Sequence, residues 1–453
     1  MEREQPFSRL VIKIALPVTL QSLLQSSFSM IDQIMTGQLG SESIAGIGLG
    51  GKFSSVYSVL VSAVAAAAGI MIAQYMGRKN SREVSRGFFV NLLLAVLLAA
   101  VFTGICIAFP GQIMGMYTRD AATREIASGY LGIIAFSYIP IAVSTFLATL
   151  LRCMETASLP LYASIFGAVV NTGLNYVLIF GKLGFPELGV TGAALATVIS
   201  QTACLLLTMV LFYAYYQKQE FRLEPVFCLD SAGRKQYLGI LLPILMCELF
   251  WSLGENVYTA IYGNIGTMDC AAMTLTLPVQ ALTIGALNGL AQAAAILIGK
   301  ALGSGEDERA YRESKKLMQY GLGGSLLLSA LLLLAGNAYV KIYQVEASVR
   351  VLAYQILIAF AIISPIKVQN MILGGGILRS GGKTKYVMAV DFIGTWIFGV
   401  PLGLLAAFVW KMKIPYVYFI LSLEECVRFS VSLFLFKSRR WMVNIGASGE
   451  DEV

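Results

Sequence analysis

The sequence predicts an all-α integral membrane protein, with twelve transmembrane helices in two six-helix lobes related by an internal parallel repeat. Three observations lead there. The chain of 453 residues is 57% hydrophobic and only 13% charged, with a mean hydropathy of +0.73, whereas soluble domains carry about 25% charge. Basic residues gather after every second apolar run, and the second half of the chain repeats the first.

Taken in order, the first apolar segment follows Arg9 and Lys13 as a signal peptide would. It is rich in Gln and Ser and ends at Gly37 without a small-x-small cleavage pattern, so it reads as a retained span. Further runs, such as Gly87 to Pro110, Ala193 to Tyr216, Leu322 to Gly336 and Val351 to Pro365, bring the count of candidate helices to twelve, several reaching the roughly 20 residues a span needs. Arg78, Lys79, Arg82 and Arg86 follow the second helix, and Lys218, Arg222, Arg234 and Lys235 follow the sixth. Lys300, Arg309, Arg312, Lys315 and Lys316 follow the eighth; Arg379, Lys383 and Lys385 the tenth; Lys437, Arg439 and Arg440 the twelfth. The odd-numbered connections are poor in bases. The positive-inside rule then places both termini in the cytoplasm, which requires an even number of spans in the cell membrane. The excess of 33 Lys and Arg over 26 Asp and Glu is therefore a topology signal, and no nucleic-acid partner is expected.

Sliding the chain by 226 residues puts Leu16-Pro17 on Leu242-Pro243, Gly37 on Gly263, Gly40 on Gly266, Gly77 on Gly303 and Arg86 on Arg312. At 227 the match resumes, with Leu151-Arg152 on Leu378-Arg379. The expected boundaries are an amino-terminal lobe over 1–216, a cytoplasmic linker over 217–235, a carboxy-terminal lobe over 236–440 and a cytoplasmic tail over 441–453. Because six is even, the first and seventh helices start on the same face, which is the parallel-repeat plan of some secondary transporters.

Catalysis has little support. The chain has no histidine, and its seven cysteines lie far apart with no C-x-x-C, so neither a zinc site nor a disulfide framework is indicated. No H-E-x-x-H or G-x-S-x-G occurs, and no cofactor is expected. The stretch GGGILRSGGKTK, Gly374 to Lys385, has Ile377 where a phosphate loop needs glycine.

Two polar stripes carry the functional signal. Gln21, Gln25, Ser29 and Asp32 recur at i, i+4, i+8 and i+11 and stack on one helix face. A charge at the middle of a membrane helix costs roughly 2.5 to 3.5 kcal/mol on insertion scales, so Asp32 reads as a functional carboxylate, or else as one close enough to the helix end to reach headgroup water. The seventh helix repeats the device with Glu248, Ser252, Glu255, Thr259 and Tyr262. Interhelical hydrogen bonding, worth about 0.6 kcal/mol per contact, would account for the Gln and Ser residues. It accounts less well for two acids: the only base expected near mid-helix in the first six helices is Lys52. A carboxylate without a base in low dielectric picks up a proton or binds a cation, and ion coupling needs either behaviour.

The segments LPVTLQSLLQSSFSMIDQIMTGQLGSESIAGIG, AQYMGRKNSREVSR, LRCMETASLPL, NTGLNYVLIFGKLG, GVTGAALATVIS and LRSGGKTKYVM, in this order within two six-helix halves, resemble the multidrug and toxic compound extrusion (MATE) transporters. The resemblance covers nearly the whole chain. It implies a V-shaped pair of lobes that exports organic, often cationic, compounds in exchange for sodium ions or protons. Members carry an aspartate where MIDQIMTG has Asp32, implicating it in proton or sodium binding. In several bacterial members an Asn and an Asp on the fifth helix and a Thr on the sixth complete that site; the matching positions are Asn171, Asn175 and Thr197. Asn175 departs from the pattern, which leaves the coupling ion open. Other members use a glutamate of the seventh helix. Glu248 and Glu255 both offer one, and Glu255 is preferred because it lies deeper and near the level of Asp32.

The resulting expectation is a monomeric antiporter in the lipid bilayer working by alternating access. Its substrate cavity would be lined by the first, second, seventh and eighth helices through Gln25, Tyr57, Trp251, Glu255, Tyr258, Met273 and Gln280. Aromatic faces attract organic cations by about 0.5 to 2 kcal/mol, although helix packing would explain each residue singly. A related lipid-linked oligosaccharide flippase is the alternative. It would want several arginines in its cavity, and Arg428 is the clearest one within a span. A channel is the next competitor.

Overall fold

The computed structural model describes residues 6–219, 222–227, 231–343 and 345–445. Parts of the expected linker and residues 446–453 of the expected tail lie outside them. No β-strand occurs among the described residues, as expected where backbone polar groups must be satisfied without water.

The helices run α1 Phe7–Thr36, α2 Ser41–Gly77, α3 Ser81–Ala108, α4 Ala121–Cys153, α5 Ser158–Phe180 and α6 Gly189–Tyr216 in the first half. The second half holds α7 Ser231–Ile265, α8 Thr267–Gly303, α9 Asp307–Lys341, α10 Ala347–Leu378 and α11 Thr384–Val409. These are the 11 helices long and apolar enough to cross a membrane among the described residues. The twelfth, α12, is in two segments, Ile414–Ser422 and Glu424–Ser438, separated at Leu423. Its segments have 9 and 15 residues, each shorter than a span, and Glu424, Glu425 and Arg428 lie beside the break. α7 begins at Ser231, inside the stretch the sequence reads as linker.

Local chemistry sets the helix ends. The Asn80 side chain accepts from the Glu83 N–H at the start of α3, and Asp120 accepts from the Thr123 N–H at the start of α4. Gly181, with φ +61, closes α5 in the left-handed conformation. The repeat-related prolines Pro17 and Pro243 both lie inside helices, which membrane spans tolerate. Large apolar side chains remain exposed on outer faces, among them Leu97, Val101, Leu327 and Leu334, the pattern lipid favours.

The chain forms two compact units. The amino-terminal unit comprises residues 20–72 and 80–230, and the carboxy-terminal unit comprises 1–19, 73–79 and 231–453. In the amino-terminal unit α5 packs along α6 and α3 along α4, around a centre of small residues that includes Ala65, Ala67, Ala68 and Ala99. In the carboxy-terminal unit α10 packs along α9 and α8, and α11 along α7.

Within the carboxy-terminal unit the last residues of α2 cross α8, and the crossing carries the repeat. A Cβ on Gly77 would run into the Lys300 carbonyl, and one on Gly303 into the Gln74 carbonyl. These four positions exchange under the same shift of 226 residues, so the duplicated sequence meets itself there. Gln74, fully buried, donates to the carbonyls of Ser380 (2.6 Å) and Val443 (3.1 Å) and accepts from the Ile445 N–H (2.8 Å). Residues 441–445 are therefore packed into the unit, with Trp441 buried.

Candidate functional site

In the amino-terminal unit the polar stripe of α1 meets α4 and α5. Gln21 donates to Ser164 Oγ (2.7 Å) and accepts from Arg152 Nη2 (2.9 Å). Three turns on, Asp32 Oδ1 accepts from Asn175 Nδ2 at 2.5 Å. The same amide nitrogen reaches Asn171 Oδ1 (3.2 Å), one turn earlier on α5, and Asn171 Nδ2 donates to Ser200 Oγ on α6 (3.3 Å). Both neighbours of Asn175 Nδ2 are acceptors, so the amide must point its nitrogen at them. Its Oδ1 is buried without a partner among the described residues.

Asp32, Asn171 and Asn175 thus come together. Thr197 joins only through its backbone: its hydroxyl bonds to the Ala193 carbonyl of its own helix, and its carbonyl accepts from Ser200 Oγ (2.9 Å). Ser200 is the member the sequence reading missed, and its only signal was its place three residues after Thr197 on a polar face. Among the described residues Asp32 makes no ion pair, and no group of three or more His, Cys, Asp or Glu is placed to hold a metal ion. The chain offers Asp32 as the one carboxylate to a cation or proton there.

Two of the expected cavity residues lie in this unit. Gln25 is exposed on α1. Tyr57 corrects the expectation: it is fully buried, its ring stacks on Tyr138 with centroids 4.3 Å apart, and its hydroxyl donates to the Tyr138 carbonyl (2.6 Å). With its polar end satisfied and its faces covered, Tyr57 is a packing residue.

The other five, Trp251, Glu255, Tyr258, Met273 and Gln280, line one cavity of about 410 Å³ inside the carboxy-terminal unit. Charged side chains line it as well: Lys367 on α10, Asp391 on α11, and Glu424, Glu425 and Arg428 on α12, of which the sequence singles out only Arg428 as lying within a span. Arg428 pairs closely with Asp391 and lies 3.6 Å from Glu425. Glu425 is also reached by Asn370 Nδ2 (2.8 Å) and, at 3.8 Å, by Lys367 Nζ. Tyr258 donates to Glu424 Oε2 (2.5 Å), while Tyr418 donates to Gln280 Oε1 (2.9 Å). Glycines make the room: a side chain at Gly394 would displace Arg428, and one at Gly399 would enter the Tyr258–Glu424 contact. Both lie in a widened π-helical stretch of α11, Ile393–Gly399, and a second such stretch, Met371–Leu378, borders the cavity from α10. Such bulges are common at functional sites.

The expectation of acids without intramembrane bases therefore fails in this unit, because Glu255 shares its cavity with Lys367 and Arg428. Glu248 lies 3.5 Å from Arg379 in an ion pair, whereas the Glu255 carboxylate faces the cavity without one among the described residues. The signals available were a Glu and an Arg one turn apart in EECVR and a lone lysine in PIKVQN.

Comparison with known proteins matches this architecture. The MatE family model matches residues 17–177 and 243–405, two segments that begin 226 residues apart, as the repeat does. A probable multidrug resistance protein NorM of Bacillus thuringiensis subsp. konkukian is 25% identical over 424 residues, covering 90% of each chain. A protein of the same description from Rhizobium meliloti is 28% identical over 432 residues, covering 89% of each. The solved structure of a mutant of the Vibrio cholerae MATE transporter VcmN superposes with a TM-score of 0.87 at 17% identity, covering 96% of this chain and 98% of that one. The chain belongs to the MATE family of multidrug efflux transporters.

Proposed function

We propose that the protein is a proton-coupled antiporter of the cell membrane, with both termini in the cytoplasm, exporting organic, often cationic, compounds by alternating access. One observation carries the coupling: Asp32 meets a neutral amide and no base among the described residues, so its charge state is left to an incoming ion. A sodium ion, as a hard cation, gains affinity with each charged oxygen around it, and here Asn175 stands where a second carboxylate would help. A proton needs only one poorly solvated carboxylate. The carboxy-terminal cavity, with Glu255 among Trp251, Tyr258 and Met273, supplies the acidic and aromatic surface a cationic substrate needs.

The flippase reading gains three bases, Lys367, Arg379 and Arg428, but four carboxylates line the same cavity, and Arg379 and Arg428 are already paired with Glu248 and Asp391, which disfavours a pyrophosphate. The test is export of a cationic dye from proteoliposomes under separately imposed proton and sodium gradients, for the unmodified protein and Asp32→Asn. The variant should insert normally, because an amide is easier to bury than a charge and still accepts from Asn175, yet lose gradient-driven export. Normal export by Asp32→Asn would overturn the assignment. Flux at channel rates without counter-ion dependence would overturn antiport.

A further inference from the structure

The charged groups of the carboxy-terminal cavity are unequally satisfied. Arg428 is held by Asp391 and Glu425, Glu424 by the Tyr258 hydroxyl, and Glu425 by Arg428 and Asn370. Lys367 is different. Its nearest carboxylate oxygen is 3.8 Å away, beyond hydrogen-bond length, and its side chain keeps 27% of its surface exposed. Three N–H donors on one ammonium are left with no hydrogen bond among the described residues. Glu255 is its counterpart, a carboxylate on the same cavity with no ion pair among the described residues. One acid without an ion pair, and one base held only by a long contact to Glu425 and by the Tyr418 ring 6.0 Å away, thus face a single void.

We propose that Lys367 is a specificity-determining residue that takes the anionic end of the substrate, so that the cavity prefers amphoteric compounds, with an ammonium for Glu255 and a carboxylate for Lys367, over simple cations. This rests on the exporter reading above and narrows its substrate class. The apolar body of such a compound would lie against Trp251 and Met273, and about 410 Å³ is in the range of drug-sized sites. Releasing Lys367 strands no charge, because Glu425 keeps Arg428 and the Asn370 amide. A charge-assisted bond from the ammonium to a substrate carboxylate would replace a contact now too long to be one.

The test uses the full-length protein in lipid nanodiscs and two fluorescent probes with one skeleton: Nα-trimethyl-Nε-dansyl-lysine, which carries both charges, and its methyl ester, which carries only the fixed quaternary ammonium. The free acid should bind about tenfold more tightly than the ester, the gain expected of one charge-assisted hydrogen bond. Lys367→Gln should bring the two affinities to within about twofold, and Lys367→Arg, which keeps the charge, should restore the preference. Equal or tighter binding of the ester by the unmodified protein would overturn the proposal without any variant, as would a preference that survives in Lys367→Gln. Export of the ester without preference for the acid would leave the exporter reading standing and remove only the role of Lys367. If neither probe is bound, the role of Lys367 falls, while the exporter reading is decided by the cationic-dye assay.

Discussion

Replacing Asn175 by aspartate puts a second carboxylate where the structure holds a neutral amide. The side chains are nearly isosteric, so one new oxygen inherits the place of Nδ2, 2.5 Å from Asp32 Oδ1. Two full charges at that separation repel by about 7 kcal/mol at an effective dielectric constant of about 20. The pair therefore shares one proton or holds a cation, and it titrates as a unit. A shared proton restores the bond to Asp32 but not the second donation to Asn171, a loss of about 1 kcal/mol, so the fold should survive. Function should not. Asn175→Asp should lose most proton-driven export, roughly tenfold or more given the scale of such repulsion, and should gain a response to sodium as the site acquires a second charged oxygen. The assay is substrate export from proteoliposomes under a proton gradient alone and a sodium gradient alone, for both proteins. If the unmodified protein runs on sodium alone and Asn175→Asp changes nothing, coupling through Asp32 and Asn175 is refuted, and attention passes to Glu255.

Glu255→Gln should weaken binding of monocationic substrates more than of neutral ones, because an ion pair in a low-dielectric cavity is stronger than a neutral hydrogen bond; calorimetry with matched charged and neutral ligands checks it, and equal losses for both would assign Glu255 to structure or coupling. Gly303→Ala should destabilise the carboxy-terminal unit by about 1 to 3 kcal/mol, because its Cβ meets the Gln74 carbonyl, which a helix backbone cannot withdraw. A lowered midpoint of thermal unfolding in detergent is the readout, and an unchanged midpoint would mean that the α2–α8 crossing opens without strain.

The membrane class, the helices and the duplicated plan were legible in the sequence because they depend on composition and on periodicity along the chain. The shift that aligns Gly77 with Gly303 is also the one under which the two helices contact each other. Asp32 was legible as a charge that apolar surroundings make conspicuous, whereas Asn171 and Asn175 were marked only through the family resemblance. What only the tertiary structure decided lies across helices. Tyr57 is chemically suited to a cavity, yet packing against Tyr138 buries it. Lys367, Asp391, Glu424 and Arg428 are spread over three helices, and nothing along the chain says that they face one another. They become one site because glycines on α11 let α12 approach and because opposite charges in low dielectric are stable only where they meet. Periodicity says which residues share a face of one helix, but which faces of different helices turn toward each other is set by close packing in three dimensions.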